Sequence, residues 1–203
     1  MLIRLLVAFK HRCPRIWSVV ESINGFLFRL RYGKVERKVG DIIDAYEIDD
    51  CTFCLIKEED LPALERFLNG QDAETLKWFH PHQFDRATLQ RLFRNPSFLM
   101  MKVTSPDGNG IAGYFFLRGF FVGRCFAGLI VDPAWQNRGI GTHIWHAEAA
   151  ICKRLGLRMQ ATISPYNRPS IVSCRRGTAV TELQKMKNGY LAVECKTKKD
   201  IAI

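Results

Sequence analysis

Val131-Asp132-Pro133-Ala134-Trp135-Gln136-Asn137-Arg138-Gly139-Ile140-Gly141-Thr142 is the stretch that decides how this chain folds. An apolar strand ends at Asp132-Pro133, a loop carries Arg138, and two glycines open a helix. A helix start leaves its first backbone N–H groups unpaired and carries partial positive charge. Such an end holds a phosphate if the backbone can come close, and Gly139 and Gly141 have no Cβ to prevent it. Arg138 adds a cation beside them. The stretch is not a mononucleotide P-loop, because no Gly-Lys-Ser/Thr follows. Nor is it a dinucleotide fingerprint, since the third glycine is missing and the unit lies mid-chain. A helix start packed tightly on a strand would also use two glycines. Gln136 three residues before Gly139, the strand-to-helix switch and the amphipathic helix behind favour the anion site.

That helix is expected over residues 139–155, where Ile140, Ile144, Ala147, Ile151 and Leu155 form one face. His143 and His146 lie off this face and are expected in solvent. Upstream, residues 98–104, 111–120 and 124–131 read as strands, the first two joined by turn chemistry at Ser105-Pro106-Asp107-Gly108-Asn109-Gly110. Downstream come a strand at 158–164, a short helix at 168–176 ended by Gly177, and strands at 178–183 and 190–196 around Asn188-Gly189. Before these lie a strand at 51–56, a helix at 58–68 and short helices at 73–79 and 86–93. The order predicts an α/β fold, a mixed sheet flanked by helices, over residues 51–198.

Residues 1–40 differ in composition. They hold nine Lys/Arg against Glu21 and Glu36, so they carry +7 of the net charge of +10. A near-neutral domain with a basic leader does not suggest nucleic acid. Leu2, Leu5, Leu6 and Phe9 precede Pro14, and Ile16, Trp17, Val20, Ile23, Phe26, Leu27 and Leu30 follow it at helical spacing. Two short amphipathic helices are expected, then a polar link between Gly33 and Gly40. Arg4 breaks the opening apolar run before it reaches the length of a signal core, and no run is long enough to span a membrane. The seven cysteines, irregularly spaced, read as free thiols. Cys51-Thr52-Phe53-Cys54 has metal-like spacing but no second pair, so no metal is expected. The chain is expected in the cytoplasm, with residues 1–40 able to rest on the anionic inner membrane surface.

The central turn resembles the GNAT superfamily of N-acetyltransferases, whose signature Gln/Arg-x-x-Gly-x-Gly/Ala is matched by Gln136, Gly139 and Gly141. The likeness extends over about residues 51–198. Leu129-Ile130-Val131 looks like the family's fourth strand, whose splayed end receives the pantetheine arm, and Ala161-Thr162-Ile163-Ser164 looks like the fifth. Asn167 matches a family asparagine beside the cofactor. The resemblance implies acetyl-CoA as co-substrate, held by Ile130, Val131, Gln136, Arg138, Gly139, Ile140, Gly141, Thr142 and Asn167. It also implies direct attack of a neutral amine on the thioester, with a base for the amine proton and an acid for the leaving thiolate.

The sequence departs from the family in both catalytic places. Residues 124–131 contain no carboxylate, and Ser173-Cys174 stands where many relatives have a tyrosine acid. Cys174 or Tyr166 can fill the acid's role. His80 and His82, held apart by Pro81 in a loop expected beside the acceptor, are the candidate bases. Trp78, Phe79 and Phe84 would give a stacking wall for a sugar or base, and Asp85 would orient an imidazole. A rigid aromatic loop capping the sheet would explain the same residues. The expected activity is acetyl transfer to a small primary amine such as an amino-sugar or nucleotide-sugar of a surface-polysaccharide pathway. A protein or peptide amine, a non-catalytic acyl-CoA-binding module and a membrane or nucleic-acid adaptor built on residues 1–40 are the alternatives. The oligomeric state is left open, a homodimer included.

Overall fold

The computed structural model describes residues 14–108 and 110–198, with side chains from residue 19 onward. Eight strands are present: β1 (Glu47–Ile48), β2 (Cys51–Leu55), β3 (Phe98–Thr104), β4 (Ile111–Phe120), β5 (Arg124–Val131), β6 (Arg158–Ile163), β7 (Thr178–Lys185) and β8 (Leu191–Thr197). They form one sheet in the order β1-β2-β3-β4-β5-β6-β8-β7. The helices are α1 (Pro14–Tyr32), α2 (Val35–Ile43), α3 (Leu61–Asn69), α4 (Ala73–Leu76), α5 (Arg86–Phe93), α6 (Ile140–Leu155) and α7 (Arg168–Gly177). All neighbouring strands are antiparallel except β5 and β6. A parallel pair needs a crossover, and α6 supplies it.

β4 is central and covered on both faces, which explains its nearly unbroken apolar run. Phe115 and Leu117 enter one core with residues of α1, α2 and α6, while Tyr114 and Phe116 enter another with α3 and α5. Alternation along the strand thus feeds two cores.

The N-terminal region is more integral than its composition suggests. α1 is described from Pro14 onward. The helix expected before Pro14 lies outside the described residues. Asn24 Nδ2 donates to the Gly119 carbonyl at 3.0 Å, and Phe28 lies so close that a Cβ on Gly119 would meet its ring. The polar link expected from Gly33 to Gly40 is instead helical: Val35, Val39 and Ile43 of α2 are buried, with α2 against α6. Phe28, Tyr32, Val35 and Val39 therefore belong to the core shared with the sheet.

Candidate active site

β5 and β6 pair only at Arg124/Arg158, Cys125/Met159 and Phe126/Gln160. Beyond Phe126 they separate, and Ala127–Val131 faces 161–164 across a cleft of about 570 Å³. In that gap neither strand has the other as a ladder partner, so backbone donors and acceptors line the cleft walls. The cleft leads to the turn before α6, and its lining includes Gln136, Asn137, Gly139, Ile140, Gly141 and Thr142.

The turn is built for its shape. Asn137 has φ of 62° and Gly139 has φ of 85°. Asn is among the few residues that adopt positive φ readily. Gln136 Nε2 donates to the Val131 carbonyl at 3.0 Å and so ties the loop to the strand end. Asp132 braces the other side: Oδ1 accepts from the Ala134 N–H and Oδ2 from Gln71 Nε2. Glycine at 139 is required by its backbone, and a Cβ there would also meet Ile48 Cδ1 at 3.0 Å. Gly141 differs, because a Cβ there would find only Ser173, at ordinary contact distance. The protein itself leaves room at Gly141, so its bareness serves whatever approaches the helix end. These features fit a pyrophosphate. The Arg138 guanidinium stacks on the Trp135 ring, 4.7 Å from its centroid.

The opposite wall comes from β6 and α7. Asn167 caps α7, its Oδ1 accepting from the Ser170 N–H at 3.2 Å. Tyr166, Asn167, Ser170, Ser173 and Arg176 line the cleft. Tyr166 is 81% exposed and brings a phenol to this wall. Cys174, next to Ser173, turns the other way: it is buried, with Sγ 3.6 Å from Cys195 Sγ. A hydrogen bond from the Cys195 thiol lowers its pKa. The thiol candidate for the acid therefore lies in the core, and the tyrosine lies in the cleft.

The aromatic loop divides in the same way. Trp78 and Phe79 line the cleft, with Trp78 edge-on to Tyr190 from the β7–β8 hairpin. Phe84 stands behind, stacked on Phe79, and Asp85 caps α5 by accepting from the Thr88 N–H at 2.9 Å. That backbone hydrogen bond holds the Asp85 carboxyl below its ordinary value. His80 is exposed, and neither it nor His82 is among the residues lining the cleft. His82 sits among Phe84, Phe98, Tyr114 and Phe116, with ring centroids within 6.1 Å. A carbonyl only accepts, so Nδ1 carries the proton and donates to Gln83 O at 2.8 Å. Nε2 then accepts from the Tyr114 hydroxyl at 3.2 Å. Both nitrogens are engaged in holding the loop.

Burial lowers the His82 pKa. The sign follows directly. The unfolded chain binds more protons than the folded one between the lowered value and about 6.5, so stability falls as pH drops below about 6.5. His82→Asn is expected to flatten part of this acid slope in thermal melts from pH 7.5 to 5. His146 contributes in the same direction, so the slope should not vanish. The variant should lose about 1–3 kcal/mol of stability at neutral pH through lost packing and an unpaired Tyr114 hydroxyl. Turnover should change far less than the roughly 100-fold loss that removing a base causes.

Two further placements differ from expectation. His146 is buried rather than in solvent, its Nδ1 2.7 Å from the Tyr46 hydroxyl. The reason is α2 and the chain after it, which cover the face of α6 that amphipathicity alone leaves open. Sequence reasoning also missed Glu74, the acid lining the cleft among the described residues. It sits in the first turn of α4, with Oε1 3.2 Å from Lys77 Nζ. Attention to the first turn of each short helix would have found it.

A family model for the acetyltransferase (GNAT) family matches residues 64–176. The chain belongs to the acetyltransferase (GNAT) family. Among curated proteins the comparison finds no match. Solved structures with the same fold include the ribosomal-protein-S5-alanine acetyltransferase from Vibrio fischeri, 19% identical, with a TM-score of 0.61 over 76% of this chain and 97% of that one. The GNAT domain of S. lividans PAT is 16% identical, with a TM-score of 0.60 over 71% of this chain and 89% of that one. The aminoglycoside acetyltransferase AAC(6')-Ib, crystallised with coenzyme A and kanamycin, is 17% identical. Its TM-score is 0.55 over 73% of this chain and 95% of that one. Family membership places this GNAT chain among acyltransferases.

Proposed function

We propose that this chain transfers the acetyl group of acetyl-CoA to a primary amine of a small, sugar-like molecule. The observation that carries the reading is the parting of β5 and β6 onto the Gly139–Gly141 turn. Backbone groups along the parted strands suit an extended amide-bearing arm, and the helix start suits its pyrophosphate. Among the cleft's lining residues Trp78 offers an aromatic ring and Glu74 a carboxylate, which fits a cationic polar acceptor. The structural neighbour AAC(6')-Ib was crystallised with kanamycin, an acceptor of that chemistry.

The reaction needs an uncharged amine. Glu74 holds the ammonium form and takes one proton, the nitrogen attacks the thioester carbon, and the C–S bond breaks. The departing thiolate takes a proton from the Tyr166 phenol, the acylated nitrogen gives its second proton back to the phenolate, and Glu74 releases its own to water, leaving an amide and free CoA thiol. We place the chain in the cytoplasm, where Cys174 and Cys195 remain thiols despite their proximity. No helix among the described residues is long and apolar enough to cross a membrane.

A screen for CoA thiol release tests the reading, using amino-sugars, amine-bearing nucleotide-sugars and peptides beside acetyl-CoA. Release with a sugar amine supports it, and release with peptides alone moves the acceptor to the protein class. Acetyl-CoA binding without release for any amine would make the chain a binding module.

A further inference from the structure

α1 carries two apolar faces, and among the described residues only one is packed into the core. Phe28 and Tyr32 turn into the core. Val19, Ile23, Phe26 and Leu30 follow steps of four, three and four on the opposite side, and they are 57%, 54%, 62% and 68% exposed. A helix face that faces water is ordinarily polar, so this stripe requires an explanation.

The stripe is continued by a second element. The β4–β5 turn presents Phe121 and Val122, 41% and 59% exposed. It is fastened to α1, because the Phe121 N–H donates to Asn24 Oδ1 and Arg31 Nη1 donates to the Phe121 carbonyl at 2.7 Å. The two apolar surfaces are therefore held as one.

The exposed charges that α1 and the β4–β5 turn bring to the patch are positive. Arg29 and Arg31 lie at the two edges of the stripe, and Arg124 follows the turn, all three exposed. The single acid of α1, Glu21, is turned inward onto Arg118 at 2.7 Å and Arg91 at 2.9 Å. No acid of α1 lies on its outer face. The thirteen residues before α1 add Arg4, Lys10 and Arg12 and no acid.

We propose that this face of α1, with the β4–β5 turn, docks on an anionic lipid bilayer. The helix would lie in the interfacial plane with its apolar stripe among acyl chains and its arginines at the headgroups. A second copy of the chain fits less well. A twofold pairing would set arginine edges against each other, and a stable dimer takes roughly 20–30 residues a side, against seven exposed large apolar ones on α1 and the turn. The proposal is independent of the acetyl-transfer reading, since it uses no residue of the cleft.

Flotation of the full chain with vesicles tests it. Truncation does not, because residues 28–39 include core side chains. Full-length protein should float with phosphatidylcholine vesicles containing about one third phosphatidylglycerol and hardly at all with phosphatidylcholine alone. Binding should weaken as salt rises, since screening shortens to about 3 Å at 1 M. Phe26→Glu/Leu30→Glu should lower partitioning about tenfold or more, with acetyl-CoA binding unchanged as the sign of a native fold. Arg29→Gln/Arg124→Gln, which alters only exposed polar groups, should remove most of the preference for anionic vesicles. Equal partitioning of wild type and both variants would overturn the proposal. So would a dimer in sedimentation that Phe26→Glu/Leu30→Glu dissociates while neither protein floats, because the patch would then join two copies.

Discussion

Gly141→Asp is expected to abolish acetyl-CoA binding while leaving the fold intact. The two halves of this expectation have separate physical grounds. A Cβ at Gly141 would meet Ser173 Cβ at 3.5 Å and Oγ at 3.6 Å, which is ordinary contact. The position also has no positive φ, so an L side chain fits its backbone. A carboxylate in the first turn of α6 faces the positive end of the helix dipole, which is stabilising by about 0.3–1 kcal/mol. The melting temperature should therefore hold or rise slightly. That same carboxylate occupies the place a pyrophosphate would take. Two like charges about 4 Å apart repel by about 4 kcal/mol at the effective dielectric of a protein surface. Calorimetry should therefore show acetyl-CoA affinity reduced at least ~100-fold. Gly141→Ala is the control for size alone and should weaken binding far less than Gly141→Asp. Gly139→Ala is a poor probe, because φ of 85° and the contact with Ile48 would disturb the turn itself. Equal affinities for wild type and Gly141→Asp would remove the phosphate site from this turn.

The contrast between these glycines shows what a sequence of this kind discloses. A strand, a glycine-bearing turn and an amphipathic helix are local features, and the element order from β2 to β8 follows from periodicity and turn residues. Which of two apolar faces meets the core is not local. In α1, Phe28 and Tyr32 point inward while Phe26 and Leu30 point outward, and all four are large and apolar. Composition therefore marks residues 1–40 as an appendage, although Phe28, Val35 and Val39 belong to the core that covers α6. The burial of His146 escapes local reading for the same reason. Its side of α6 is covered by elements distant in sequence.

The aromatic loop makes the point within the site. Trp78, Phe79, His82 and Phe84 are equally suited to a ligand wall or to a cluster under the sheet. The structure divides them, with Trp78 and Phe79 on the cleft and His82 and Phe84 behind. The division follows from Tyr114, whose buried hydroxyl needs a partner and has His82 Nε2. Nothing near residue 82 in the sequence announces a tyrosine 32 residues later. The absence of a carboxylate from β5 is likewise no guide, because a carboxylate can reach a cleft from an adjoining helix, as Glu74 does.

Glu74→Gln is expected to lower turnover at neutral pH by roughly 100-fold or more, with acetyl-CoA affinity unchanged. The amine arrives as an ammonium ion, and its nitrogen cannot attack until a proton leaves. Glu74 is the carboxylate lining the cleft among the described residues, and Trp78 lines the same cleft. The glutamine keeps the size and the hydrogen-bonding capacity but can neither attract the cation nor accept its proton. The acceptor KM should therefore rise as kcat falls, and raising the pH should restore part of the rate by supplying neutral amine. A structural role predicts another pattern. Glu74 pairs with Lys77, and if that pair merely held α4 in place, Lys77→Ala would match the defect of Glu74→Gln. Lys77→Ala should instead retain nearly full turnover. His80→Ala/His82→Ala completes the comparison, because it should weaken the fold but leave the rate of the folded enzyme close to wild type. Wild-type kcat and pH profile in Glu74→Gln, on an acceptor shown to release CoA, would take the proton away from Glu74.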